Sequence, residues 1–522
     1  MTPIHRKFLY FAVFASGLTT LAVEMSASRL VGNIFGVSNL VWASIIGLIL
    51  IYLTIGYFLG GWWADRDPRP QTMYRIMAWG AFLAGLIPLP AQPVLYRAAE
   101  AFERLEVGVL AGSFTGVLIL FSLPVTLLGT VSPFAIRLAI RHPEEAGRVA
   151  GRVYAISTLG SFIGTFLPLL VMIPNLGTVR TYYLCGAFLC LVAVVGVGVS
   201  AGWRAALRCL WMPLLLIVLA IVGLGRGVKM SAGQIYETES TYNYIQVIER
   251  NDYRYLRLNE GMGVHSIYHP TEVDYGGPWA QFLAAPFFNP SPYRPQDVES
   301  IAIVGLAAGT AARQATAVFG TIPIDGFEID PRIIEIGKEY FGMNLTNLHA
   351  FAQDGRWGLE RSEQKYSLIE IDAYRPPYIP WHLTTREFFE AVRAHLRADG
   401  VTAINVGRAP RDRRLVEGLV GTLAAVFPSV HVMDVPGTFN TIIYATAQPT
   451  SFDNLYSNLA YLLSGEDPPP LLIAAIVRTL EGQQPTPDSR TIYTDDLAPI
   501  EWATNNMVLS FILSGEVENV IP

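Results

Sequence analysis

The chain has 522 residues, 52% of them hydrophobic and only 15% charged, with a mean hydropathy of +0.36. Globular chains carry about a quarter charged residues, so a wholly soluble protein is excluded and part of this chain belongs in lipid. Residues 1–230 hold 17 Lys+Arg against 8 Asp+Glu, net +9, and the remainder holds 20 against 35, net −15. The acidic part should repel nucleic acid and anionic lipid and would tolerate or attract a cationic substrate.

Apolar runs near the ~20 residues needed to cross hydrocarbon lie at roughly Phe8–Phe35, Leu40–Ala64, Met73–Leu95, Val107–Val131, Val153–Ile173, Tyr182–Ser200 and Leu207–Leu224. They predict a bundle of about seven helices over residues 1–230. The first run is too long for a cleavable signal peptide. Glu24 and Arg29 fall inside it, where charges either pair or line a polar path; both options stay open. Gly160-Ser-Phe-Ile-Gly164 is a small-residue face for close helix packing. The segment Gly56-Tyr-Phe-Leu-Gly60-Gly61-Trp-Trp-Ala-Asp65-Arg66 resembles one loop of major-facilitator transporters. The second six-helix repeat of that fold is absent. The three cysteines, Cys185, Cys190 and Cys209, all lie in apolar runs, so the acidic part has no disulfide framework and no cysteine-based metal site.

With the N-terminus inside and seven spans, eleven basic loop residues fall inside and five outside, as the positive-inside rule favours. That topology puts the acidic part outside the cell, whereas a cytosolic cofactor would put it inside. The side of this multi-pass cell-membrane protein is left open between the two.

Residues Tyr236–Tyr268 alternate apolar and polar and predict antiparallel hairpin strands. Then Ile301-Ala-Ile-Val304, Gly305-Leu-Ala-Ala-Gly309-Thr310, a helical run and Ile324-Asp-Gly-Phe-Glu328 form a nucleoside-binding βαβ pattern. Gly305 and Gly309 let the backbone turn tightly and approach a ligand. Glu328, nineteen positions after Gly309, is placed to accept both hydroxyls of a ribose. A third strand ends at Asp354-Gly355, a fourth at Asp372, a fifth covers Val401–Val406 and another Thr441–Thr446, with helices between, such as Thr385–Arg397. Alternating strands and helices indicate a doubly wound sheet, and three acids at strand carboxyl ends lie where such sheets bind ligands.

This pattern resembles the spermidine synthase superfamily, a branch of the class I methyltransferase fold, and more closely bacterial proteins that fuse a multi-span membrane region to such a domain. The fold class implied is a multi-span α-helical membrane bundle joined to an α/β, Rossmann-like domain with an N-terminal β-hairpin region. Its boundaries are 1–230 for the bundle, 231–275 for the β-strand subdomain and 276–522 for the synthase-like domain. The resemblance implies that Glu328 binds ribose, that Asp354, with Gly355, binds the adenine amino group, and that Asp372 faces the attacking amine as catalytic residue. It implies decarboxylated S-adenosylmethionine or S-adenosylmethionine as donor substrate, and no metal. Pro380-Trp-His-Leu-Thr-Thr385-Arg-Glu-Phe-Phe389 and Thr494-Asp495-Asp496-Leu-Ala-Pro499-Ile-Glu501 look like elements of the membrane-fused group.

The chain also departs from the family. Ala308 stands where an Asp would hold the donor's amine, and Arg375 replaces the second acid after the fourth strand. Pro278-Trp-Ala-Gln281 replaces a Tyr-His-Glu segment, and Asn243 replaces the hairpin Gln near the sulfur. Arg375 would repel a polyamine but could grip a carboxylate or phosphate. Asn243 is assigned to the donor side; Arg375, His382 and Gln281 are the candidate acceptor-side residues, with His382 an alternative base. The expected partners are the lipid bilayer, a small-molecule amine or membrane-proximal acceptor, and a second copy in a homodimer. Four functions follow: a membrane-anchored aminopropyltransferase-like enzyme, a methyltransferase on the same scaffold, a non-catalytic nucleoside-binding domain regulating the bundle, and transport by the helices.

Overall fold

The computed structural model describes residues 3–35, 39–103, 108–223, 231–259, 263–374, 379–409, 412–465 and 468–513. The chain divides into two compact units, residues 1–231 with 237–244, and residues 232–236 with 245–522.

Among the described residues, seven helices of the first unit are long and apolar enough to cross a membrane: His5–Gly32, Val41–Arg66, Pro70–Ala91, Ala111–Ala139, Pro143–Leu176, Thr178–Ala201 and Trp203–Val222. Each coincides with one of the runs expected from sequence. Small residues set the packing, since without water between helices close backbone approach supplies the attraction. A Cβ added at Gly160 or Gly164 would stand 2.1 Å from the Phe14 or Leu18 carbonyl oxygen, so the first and fifth spans touch backbone to backbone. In the segment likened to a transporter loop, Gly56 and Gly60 serve the same purpose, meeting the backbone of Thr126 and Thr130. Asp65 in that segment pairs with Arg137 at 3.0 Å.

Arg29 does not pair with Glu24. Its guanidinium donates to the Thr241 carbonyl, beyond the last span. Nearby in sequence, Glu239 accepts from the Thr178 backbone N–H at 3.3 Å and from the Thr178 hydroxyl. It thereby places a carboxylate at the positive end of the Thr178–Ala201 helix. Burial pushes the Glu239 carboxyl above the usual range.

The strands are β1 Gln234–Glu239, β2 Tyr244–Arg250, β3 Tyr253–Leu258, β4 Val264–Tyr268, β5 Ile301–Val304, β6 Ile324–Glu328, β7 Leu348–Ala352, β8 Tyr366–Ile371, β9 Leu396–Gly407, β10 Ser429–Asp434, β11 Asn440–Thr446 and β12 Gln483–Gln484. The first four form an antiparallel meander. The other eight form one sheet in the order β12-β10-β11-β9-β8-β5-β6-β7. Strands β7, β6, β5, β8 and β9 are parallel, and β11, β10 and β12 continue antiparallel. This is the α/β, methyltransferase-like arrangement expected from sequence. β10 and β12 were not foreseen.

Alternate residues of the central strands feed two cores, as the period of two requires. Ile301 and Ile303 pack with the Trp279–Phe288 segment and the helices Thr310–Phe319 and Pro470–Glu481. Ala302 and Val304 pack with the helices Arg386–His395 and Arg414–Ala424. Strand order reverses between β5 and β8, and at such a switch point the loops leave on opposite sides and open a crevice.

Candidate active site at the sheet switch point

The glycine turn after β5 is the hub. Gly305 has φ +94° and Gly309 φ +87°, conformations glycine adopts without a Cβ penalty. Ala307 between them has φ +47°, uncommon for a residue with a Cβ and a form of strain that gathers at ligand loops. The Gly305 and Leu306 N–H groups both donate to the Phe327 carbonyl, at 2.9 and 3.0 Å. The turn is thereby fastened to β6.

Glu328, ending β6, is 8% exposed. Its carboxylate accepts from the Ala307 N–H and the Asp330 N–H, both at 3.0 Å. Burial pushes its carboxyl up to about 7 against the pull of these hydrogen bonds. Each carboxylate oxygen has two acceptor sites, so the bonds to the loop leave capacity for ribose hydroxyls. Ala308 is different. Its N–H donates to Ser266 Oγ at 2.9 Å and the residue is 2% exposed, so the turn at Ala308 is tied to β4.

Asp354 follows β7 and caps the helix Gly355–Glu360 through the Trp357 N–H at 3.0 Å. Its other oxygen lies 2.8 Å from His382 Nε2, and that bond chiefly holds the Asp354 carboxyl below the usual range. His382 is held in turn by a network that sequence reasoning did not connect. Arg356 donates to the His382 carbonyl at 3.2 Å and bidentately to Asp495 at 2.7 and 2.8 Å. Asp495 also accepts from the Thr385 hydroxyl at 2.7 Å. The two segments likened to the membrane-fused group, 380–389 and 494–501, are therefore parts of one lock on the Asp354 side of the crevice.

Asp372 follows β8 directly and is partly buried. It accepts from Asn405 Nδ2 at 2.8 Å, and the Trp279 side chain lies beside it. Burial outweighs the pull of both and pushes its carboxyl up to about 7. A Cβ on Gly305 would stand 2.6 Å from the Asp372 carbonyl oxygen, so the glycine turn and the Asp372 loop are in direct contact. Glu328, Asp354 and Asp372 thus share the carboxyl edge of one sheet, on β6, β7 and β8.

The acceptor-side expectations fare differently. Gln281 is 0% exposed, its carbonyl accepts from the Tyr444 hydroxyl at 2.9 Å, and its side chain donates weakly to Gly277 at 3.4 Å. It is core and meets no ligand in this conformation, because the Trp279–Phe288 run is wholly buried. Arg375 lies outside the described residues. Asn243 closes the β1–β2 turn with Ser240 and belongs to the other unit. Asn405, Trp279 and Ser266 were missed as site residues. The one available signal was Asn405, a polar residue interrupting the apolar run of β9.

A switch point with acids at the carboxyl ends of β6, β7 and β8 defines a Rossmann-like unit of the class I methyltransferase type, in a chain with seven long apolar helices. The chain is similar in sequence to polyamine aminopropyltransferases. It is 30% identical over 279 residues to a probable polyamine aminopropyl transferase of Bifidobacterium longum, covering 51% of this chain and 61% of that one. It is 23% identical over 430 residues to polyamine aminopropyltransferase 1 of Ralstonia nicotianae, covering 77% of each. Among solved structures it resembles a probable spermidine synthase from Corynebacterium glutamicum, at 19% identity and a TM-score of 0.39, covering 46% of this chain and 90% of that one. No protein-family model matches the chain. The chain spans about three-fifths of the length of the Bifidobacterium relative.

Proposed function

We propose that the chain is a membrane-anchored aminopropyltransferase-like enzyme that moves an alkyl group from a sulfonium donor of the S-adenosylmethionine type to an amine. The observation that carries this is Asp372, a partly buried residue at the switch point whose carboxyl is pushed up to about 7, where a general base works well at neutral pH. Glu328 supports the nucleoside half of the site with its remaining acceptor capacity.

In this reading an arriving ammonium gives a proton to the Asp372 carboxylate and keeps its nitrogen lone pair. The lone pair forms the new N–C bond as the C–S bond breaks, and the thioether sulfur leaves with the bonding electrons. Little else is needed beyond alignment, because holding the two reactants in line can supply several kcal/mol. Asn405 and Trp279 orient Asp372 for the transfer.

Methyl transfer from S-adenosylmethionine is the second reading, favoured by Ala308, whose N–H is taken by Ser266. The donor's amino-acid part would need other contacts.

Calorimetric titration with methylthioadenosine, S-adenosylmethionine and its decarboxylated form separates the readings. Tightest donor binding by the decarboxylated form supports aminopropyl transfer, and by S-adenosylmethionine methyl transfer. No binding of any of the three removes both. Asp372→Asn is expected to abolish turnover while sparing methylthioadenosine binding; unchanged turnover takes Asp372 out of the mechanism. A C-terminal reporter active only outside the cell would make a cytosolic donor untenable.

A further inference from the structure

One buried acid has no place in that mechanism. Glu370 lies in β8, two residues before Asp372, and is 1% exposed. Neither carboxyl oxygen has a hydrogen-bond partner among the described residues. In the sheet it stands between Ile303 of β5 and Ala403 of β9. Both neighbours, with Leu368 two residues back, pack in the core under the Trp279–Phe288 segment, so Glu370 points to that face too. Asp372 is on the same face by the period of two, one pleat nearer the rim, where Trp279 of the overlying segment lies beside it.

An isolated carboxyl this deep is expensive to ionise, and the described residues packed on this face offer no counter-charge. The Trp279–Phe288 segment has no ionisable side chain. β5 and β9 present Ile303, Ala403 and the neutral Asn405 on this face. Beyond β9, the Tyr444 phenol is bonded to the Gln281 carbonyl. Near the rim, Tyr374 is a phenol pushed up by burial and by Asp372. The Glu370 carboxyl is therefore raised first by burial and then by the charge on Asp372.

We infer that Glu370 and Asp372 titrate as one carboxyl pair, in which the sealed Glu370 stores a proton and leaves Asp372 as the ionised member that meets a cationic amine. Two like charges on one face of a strand in a low-dielectric core do not ionise together near neutrality, so the pair loses its protons in two separated steps. Burial and the Asp372 charge both push the Glu370 carboxyl well above its usual range, which makes Glu370 the upper step. The pair also replaces, from inside the strand, the second carboxylate that the loop lacks at Arg375. Glu370 is thus a positioning residue for Asp372, an inference that rests on reading Asp372 as the acceptor-facing base. It selects an acceptor with a primary or secondary ammonium over one with a carboxylate.

The test is an infrared pH titration of the full-length protein in lipid nanodiscs, following the C=O stretch of protonated carboxyls. Wild-type protein minus Glu370→Gln should isolate a step above neutral pH. Asp372→Asn should remove the lower step and move the Glu370 step down by at least one pH unit, the signature of coupling that a merely structural acid lacks. Glu370→Val, well suited to a buried strand, repeats the measurement if the Gln variant does not fold. A Glu370 step that stays in place in Asp372→Asn, or a Glu370→Gln titration superimposable on wild type, overturns the pair. So does loss of methylthioadenosine binding in both Glu370 variants, which would make Glu370 a support of the nucleoside site. Wild-type protein that does not bind methylthioadenosine would instead count against the transferase reading, while the infrared steps would still report on the pair.

Discussion

Replacing Gly305 by Ala tests the claim that the switch point is built on direct backbone contact. At φ +94° any L side chain carries roughly 1–2 kcal/mol of strain. The added Cβ would also stand 2.6 Å from both the Asp372 carbonyl oxygen and the Ala373 nitrogen. Those are backbone atoms that cannot rotate away, and forcing them apart adds about 1–3 kcal/mol. The sum for Gly305→Ala is roughly 2–5 kcal/mol. Gly437 is the control, with φ +69° and nothing within 4 Å of a Cβ built there. Gly437→Ala should therefore cost only the dihedral part, roughly 1–2 kcal/mol. Thermal unfolding of the purified full-length chain reads the difference, at about 2–4 °C per kcal/mol for a unit of this size. Methylthioadenosine titration then asks whether the displaced Asp372 loop disturbs the crevice. Equal destabilisation by the two substitutions would refute the contact between the glycine turn and the Asp372 backbone.

Nucleoside binding should depend on pH through Glu328. Its carboxyl is pushed from an ordinary 4.5 up to about 7, and ribose hydroxyls donate to the ionised form. Methylthioadenosine affinity should therefore rise with pH to about 7 and then level off, falling by up to roughly tenfold per unit below it; an affinity flat from pH 5.5 to 8 would remove Glu328 from the ribose site. The same shift has the opposite sign for folding. The native state holds this proton more tightly than the unfolded chain, so its contribution to stability is full below about 4.5 and is lost as pH climbs through about 7. Arg356→Lys cannot reproduce the bidentate bond to Asp495. Because Asp495 is 40% exposed, the stability loss should be near 1 kcal/mol or less, whereas hydrogen exchange across residues 380–389 should rise clearly. Unchanged exchange there would mean that the lock does not hold His382.

Much of this architecture was legible residue by residue. The seven spans follow from uninterrupted apolar runs of membrane length, and β5 to β8 from short apolar strands ending in turn residues and acids. β10 was not legible, because Ser429–Asp434 mixes His431 into its apolar residues and pairs only with strands at the antiparallel edge. Pro278–Gln281 was read as a rewritten substrate segment. It opens Trp279–Phe288, ten consecutive buried residues in 3-10 geometry, and one-dimensional periodicity does not distinguish such a run from a strand. Glu370 was visible only as one letter of a strand. Its significance depends on which face it takes and on what covers that face.

The order of residues along this chain determined which segments prefer lipid, which alternate as strands and helices, and where acids follow strands, because each depends on neighbours a few positions away. Tertiary structure decided which distant partners those acids received: the Ala307 amide for Glu328, His382 for Asp354, Asn405 for Asp372, and none among the described residues for Glu370. Hydrogen bonding and desolvation act through space over a few ångströms, here between residues from 21 to 33 positions apart, and no local pattern records them.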